Sequence, residues 1–241
     1  MEKELAIHIT AVPERLHAAH DLLKILPDAI LHVDEEKLGP WKPSREVWKN
    51  NKADHCLLLQ EDTLLVPNFL HHVRRVIDLF PDNILSFYRG WKGEIRGATF
   101  VGTNFRMNGP AICMPRDLAH EFVAWCDKYV KEDYQSYDTR IALFCKFTGR
   151  MQIFTDPSLV NHRQDVTSAM GKGPNRLRNR SATNWDPNLP KDFQWKPKII
   201  PSIVPMKTLL TAECKALTQP IEESRIQRWH AANKKSRKGL Y

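Results

Sequence analysis

The stretch His55-Cys-Leu-Leu-Leu-Gln-Glu-Asp62 constrains the fold of this chain more than any other: an apolar run that stops abruptly in two adjacent carboxylates. A short run without polar alternation reads as a buried strand. About a hundred residues later, Pro157-Ser-Leu-Val-Asn-His162 is a short extended stretch that delivers a histidine. In open α/β sheets, function collects at the carboxyl ends of the strands. A carboxylate fixed there, joined by a distant imidazole, suits a divalent cation that holds a diphosphate.

The surrounding pattern supports an α/β sheet. Leu5-Ala-Ile-His-Ile-Thr10 reads as a first strand, and Pro13 opens a helix whose Leu16, Ala19, Leu22, Leu23 and Leu26 share one face before Pro27. Ala29-Ile-Leu-His-Val-Asp34 is a second strand ending in an acid, and a helix is expected over Ser44–Asn51. After the strand at 55–60, Pro67 precedes a helix with Phe69, Val73, Ile77 and Phe80 at helical spacing. This order predicts a mostly parallel, Rossmann-type sheet flanked by helices, with right-handed crossovers. Beyond the strand Ile84–Tyr88, residues 89–112 hold five glycines and read as an irregular hairpin insertion leading to a strand at Ala111–Met114. Helices are expected from Pro115 and over Tyr137–Phe147, stopping at Gly149, then a last strand at Gln152–Thr155. Residues 171–206, with six prolines, read as loop. Short helices are expected at 206–216 and 222–232.

At 241 residues the chain divides into a catalytic domain over 1–170 and a basic loop and C-terminal extension over 171–241 that packs on or beside it. No stretch reaches the ~20 apolar residues of a membrane helix. Five cysteines without CxxC spacing read as reduced thiols of a cytoplasmic protein, the host cytoplasm if the chain is phage-encoded. The net charge of +8 is concentrated late: residues 163–198 carry eight basic and three acidic residues, and 225–241 carry six basic and none acidic. That asymmetry points to an anionic partner, nucleic acid or an anionic membrane surface, against the bland reading of a solvated tail.

A diphosphate leaving group needs a Lewis acid or fixed cations. Asp62, at the strand-to-loop junction, is the stronger ligand candidate. Strand alternation puts Gln60 on its face and turns Glu61 away. His162 adds an imidazole if its segment packs beside that junction, a donor Mn²⁺ tolerates better than Mg²⁺. Each half alone is weak, since acids often end strands and a lone histidine is more often structural.

Together these segments resemble the GT-A glycosyltransferases, which use nucleotide sugars, and in particular small bacterial and phage members, including phage enzymes that modify DNA. Leu57-Leu-Leu-Gln-Glu-Asp62 is similar to the family's DxD-type motif, with Gln60 standing where the first aspartate often sits. Pro157-Ser-Leu-Val-Asn-His162, followed by Ser168 and Gly171, resembles the family's Pro-Ser-Leu-Val-x-His ending, and Gly109-Pro-Ala-Ile-Cys-Met-Pro115 resembles the segment before the acceptor-side helix. The likeness spans roughly residues 5–171. It implies Mn²⁺ or Mg²⁺ on Asp62 and His162, and a nucleotide-sugar donor, a UDP-sugar, whose hexose moves to a hydroxyl acceptor. It also implies that Ile9, Thr10 and Ala11 cradle the nucleotide near Arg15, Gln60 and Glu61. Asp34 would meet the base or ribose, with a turn acid before Gly39 as the equal alternative. Asp138 resembles the general base of inverting members. Its rival role is a helix N-cap, Asp133 is a second candidate, and a retaining mechanism would need no such base.

After His162, Arg163 and the run Met170-Gly-Lys-Gly-Pro-Asn-Arg-Leu-Arg-Asn-Arg180 offer Lys172 to a diphosphate and Arg176, Arg178 and Arg180 to phosphates, joined by Lys234 and Lys235 near the end. The favoured acceptor is a hydroxymethylated pyrimidine in DNA, with Trp185, Trp195 and Trp229 available to stack on a flipped base. A lipid-linked or surface saccharide is the alternative, without stable membrane insertion. From other classes stand a non-catalytic basic DNA-binding protein and a metal-dependent nucleotidyltransferase.

Overall fold

The computed structural model describes residues 3–90, 99–104, 109–165, 181–202 and 217. An eight-stranded sheet runs through it: β1 (Leu5–Ala11), β2 (Ile30–Val33), β3 (His55–Gln60), β5 (Ile84–Ser86), β6 (Phe100–Thr103), β7 (Ala111–Pro115), β8 (Gln152–Thr155) and β10 (Ile199–Ser202). The order across it is β10-β6-β8-β5-β7-β3-β1-β2. β1 lies between β2 and β3 and is parallel to both, and β5 with β8 and β6 with β10 are also parallel neighbours. β7 lies antiparallel between β3 and β5, and β6 is antiparallel to β8. Two short strands, β4 (Thr63–Leu65) and β9 (Val160–His162), form a separate antiparallel pair.

Helices cover both faces, and the two-residue period of β3 shows why. Leu57 and Leu59 point into one core with Ile7, Ile9, Leu85 and Cys113. That core is closed by α1 (Leu16–Ile25) and α3 (Phe69–Leu79), with Leu22, Val73, Val76 and Ile77 inward at helical spacing. Cys56 and Leu58 point the other way, into a core with Ile112, Met114, Trp41, Trp48, Phe122 and Phe144. α2 (Trp41–Asn50), α4 (Arg116–Tyr129) and α5 (Tyr137–Thr148) close that side. A strand walled on both faces has no use for polar alternation, hence the unbroken apolar run.

Several boundaries follow simple causes. α2 starts earlier than expected because Pro43 sits in its first turn, where a missing N–H costs nothing. α5 ends at Gly149, whose φ of +67° is the left-handed conformation that glycine adopts freely. Four described cysteines are buried and free, and among the described residues no helix is long and apolar enough to cross a membrane.

The insertion before β7 is organised differently from a local hairpin. Its strand β6 crosses to the far side of the sheet and pairs with β8 and β10. The proline-rich stretch read as loop also yields structure: Ile199–Ser202, with Pro201 inside it, form the strand β10, while Leu189 and Trp195 are buried against α3 and β6. Trp195 packs on Phe100, Phe193 and His72, so its ring serves the core and not a flipped base. Trp185 is partly buried against the same core. The helices expected at 206–216 and 222–232, and Trp229, lie outside the described residues.

Candidate functional site

β3 ends at Gln60, and the chain turns through Glu61 and Asp62 into β4. The antiparallel pairing of β4 with β9 sets Thr63 opposite His162, and the Arg163 N–H donates to the Asp62 carbonyl at 2.8 Å. This register carries His162 Nδ1 to 3.3 Å from Asp62 Oδ2. Two residues a hundred positions apart thus meet through one small strand pair. The carboxylate is 1% exposed. The Tyr88 ring packs edge-on against the imidazole with centroids 5.0 Å apart, and Asn161 Oδ1 accepts the His162 N–H at 2.9 Å.

Arg15 closes the other side. A 3-10 turn at Pro13–Arg15 follows β1, and Arg15 Nη1 donates to Glu61 Oε1 at 2.7 Å while lying 3.8 Å from Asp62 Oδ2. Glu61 therefore does not turn away from Asp62 as strand alternation predicts. Alternation stops with the strand at Gln60, and in the following turn both carboxylates converge on one guanidinium. Burial, then the charge of Asp62, pushes the Glu61 carboxyl up, and Arg15 opposes that rise.

The β1 and β2 ends line the same edge. Glu61 N–H donates to the Thr10 carbonyl, Thr10 Oγ1 donates to the Leu59 carbonyl, and the Ala11 carbonyl accepts from Asp34 N–H. The Asp34 carboxylate accepts from the N–H groups of Leu38 at 2.9 Å and Gly39 at 2.8 Å, the geometry of a turn acid. Gly39 has φ +92°. Ile9 is buried in the core.

Across the β3 end stands α5. Gln60 Nε2 donates to the Tyr137 hydroxyl at 2.9 Å, and that hydroxyl donates to the Gly109 carbonyl. The helix is capped by Ser136, whose Oγ accepts from Thr139 N–H. Asp138 is thus not the N-cap: it lies inside the first turn, taking hydrogen bonds from Thr139 N–H at 2.8 Å and from Ser136 Oγ. Burial, then the charge of Asp138, pushes the Tyr137 phenol well up, with smaller contributions from Asp62 and Glu61. Asp133 is exposed.

Arg163 sits between two acids, 2.8 Å from Asp21 and 2.8 Å from Asp165. Lys172, Arg176, Arg178, Arg180, Lys234 and Lys235 lie outside the described residues. Among the described residues no three His, Cys, Asp or Glu side chains are grouped to hold a metal; the site offers Asp62 and His162, with Glu61 engaged by Arg15. Sequence reasoning passed over Tyr88 and Tyr137, which meet His162 and Gln60 at 74 and 77 positions' remove, respectively. No local pattern marks such contacts.

No family model matches the chain, and no curated protein does. Solved structures similar to it at a distance include the following two. One is a glycosyltransferase involved in the glycosylation of the major capsid of PBCV-1, 16% identical, with a TM-score of 0.36 over 63% of this chain and 82% of that one. The other is A197 from STIV, 12% identical, with a TM-score of 0.37 over 69% of this chain and 98% of that one. What this chain can do is therefore argued from its own site: adjoining carboxylates, an imidazole and an arginine gathered at the end of a central strand of a mixed α/β sheet.

Proposed function

We propose that this chain is a metal-dependent glycosyltransferase that moves a hexose from a nucleotide sugar, a UDP-sugar, to a hydroxyl acceptor. The observation that supports this best is the β4–β9 register, which sets His162 against Asp62 at the exit of β3. One buried carboxylate and one imidazole fit Mn²⁺ or Mg²⁺, cations commonly held by few protein ligands plus substrate phosphates and water. When bound, such an ion supplies charge neutralisation for a departing diphosphate.

The chain's own groups have separable tasks in this reading. Asp62 and His162 hold the cation. Arg15 is fixed by Glu61 beside them, a positive charge at the edge where the nucleotide phosphates would lie. Thr10, Ala11 and Gln60 border the nucleotide, and Asp34 braces the loop after β2 with lone pairs left for a ribose hydroxyl. Asp138 accepts the acceptor's proton as its oxygen bonds to the anomeric carbon and the bond from that carbon to the diphosphate breaks, giving inversion.

The acceptor we favour is a hydroxymethylated pyrimidine in DNA, on the strength of the late basic excess. The Arg163 ion pairs and the burial of Trp195 leave that reading resting on 172–180 and 225–238. The test is incubation with a panel of nucleotide sugars, Mn²⁺ or Mg²⁺, and modified DNA, plain DNA or lipid-linked saccharide, read by mass spectrometry. Transfer is expected to stop in chelator and in Asp62→Ala and His162→Ala with the fold retained; full transfer by Asp62→Ala ends the proposal. DNA affinity should fall with salt at a log–log slope of about −0.9 per phosphate contact, and flatten when 233–241 are removed. Salt-insensitive transfer moves the acceptor to the saccharide.

A further inference from the structure

The glutamine at position 60 has a chemical consequence. The Tyr137 hydroxyl donates its single proton to the Gly109 carbonyl, so its remaining bond must be one it accepts. Gln60 supplies that donor through its amide at 2.9 Å; an ionised aspartate at this position would have no proton to give. Tyr137 is 2% exposed, its ring set edge-on against Trp48 at 5.6 Å, so neither bond is replaceable by bulk water.

The three groups joined there belong to the two halves of the site. Gln60 ends β3, two residues before Asp62. Gly109 leads into β7 through Pro110, whose carbonyl accepts from Gln60 N–H at 2.9 Å and from Thr63 Oγ1 at 3.3 Å. Tyr137 is the first residue of α5, next to Asp138. The contact at Gly109 is also close: a Cβ added there would stand 2.8 Å from Tyr137 Cε2 and 3.0 Å from Asp138 Cβ. Glycine is required at this point for space.

We infer that Tyr137 is a positioning residue: the Gln60–Tyr137–Gly109 latch sets the distance between the Asp62/His162 end and the Asp138 carboxylate. This rests on the transferase reading. Tyr137→Phe keeps the ring and removes both bonds. With α5 no longer latched, turnover should fall on the order of ten- to a hundredfold, the usual cost of an ångström-scale misplacement. The donor KM should stay within about twofold, because the cation ligands are untouched.

The decisive measurement is a double-mutant cycle with Asp138→Asn. If Tyr137 acts through Asp138, Tyr137→Phe has no further effect on turnover in the Asp138→Asn background. Equal losses in both backgrounds, or no loss in the single variant, overturn the latch. Gly109→Ala, which pushes the same two side chains from the opposite side, should reproduce the turnover loss at constant donor KM. If both variants fail to fold, Tyr137 is a core residue and the inference is wrong. A wild-type chain inactive toward every donor removes the transferase reading itself, whereas an active wild type with an unaffected Tyr137→Phe removes only the latch.

Discussion

Two buried clusters among the described residues set arginine against carboxylate, and they are built differently. In the first, Asp156 takes Arg89 Nη2 on one oxygen at 2.9 Å and Asn184 Nδ2 on the other at 2.9 Å. In the second, Glu61 and Asp62 face the single guanidinium of Arg15, with His162 alongside. A balanced, hydrogen-bonded pair is what a core tolerates. In the second cluster two carboxylates adjoin, and burial, then the charge of Asp62, raises the Glu61 carboxyl against the pull of Arg15. The first cluster shares one carboxylate between a guanidinium and an amide; the second sets two carboxylates side by side, where the proposed function would have a cation bind.

Opposite substitutions separate them most sharply. Asp62→Asn should abolish transfer and leave the denaturant midpoint unchanged or higher, because it removes the like charge beside Glu61. Asp156→Ala should remove a buried ion-pair partner of Arg89 and cost about 3–5 kcal/mol of stability. Urea unfolding of both variants, beside donor turnover, is the check; a destabilisation by Asp62→Asn matching that of Asp156→Ala would erase the distinction.

A narrower effect belongs to the third acid. Asp138→Asn should lower turnover by roughly two to four orders of magnitude with little change in donor affinity. Its melting temperature should barely move, since Ser136 caps the helix. A variant that melts early yet turns over normally would place Asp138 with Asp156 as a structural acid.

The smallest effect lies at the sheet edge, where ionisable groups are paired without opposite charge. His8 Nδ1 and His32 Nε2 sit 2.9 Å apart on β1 and β2, and burial, then the neighbouring His32, pushes the His8 imidazole down to about 4. From its ordinary 6.5 down to about 4, the unfolded chain binds a proton at His8 that the folded chain refuses. Stability from this source is therefore complete above pH 6.5 and declines as pH falls toward 4. Melting temperature against pH should slope upward across that window, and His8→Gln should flatten it.

The parts of the chain that were legible from sequence share a local cause. β3 and β8 are apolar runs or strand formers bounded by polar turns, and α5 carries its own stop at Gly149. The encounter of Asp62 with His162 could be stated as a condition, that two segments pack together, but its register depends on the β4–β9 ladder, whose strands are three residues each. The orientation of Glu61 was misread because a period of two was carried one residue past the end of the strand. β10 escaped because four residues, Pro201 among them, carry too little pattern to stand out. Tyr137 escaped because its meaning is its partner, 77 positions away.

The Asn161 side chain has one further implication. Its Oδ1 accepts both the His162 N–H at 2.9 Å and the Ala182 N–H at 2.8 Å, so the chain leaves the imidazole and comes back to it at a single oxygen atom. Ser158 and Arg89 fasten the returning strand again at Thr183. Asn161→Ala would therefore be felt on both sides of the histidine, freeing the backbone N–H groups of His162 and Ala182 at once.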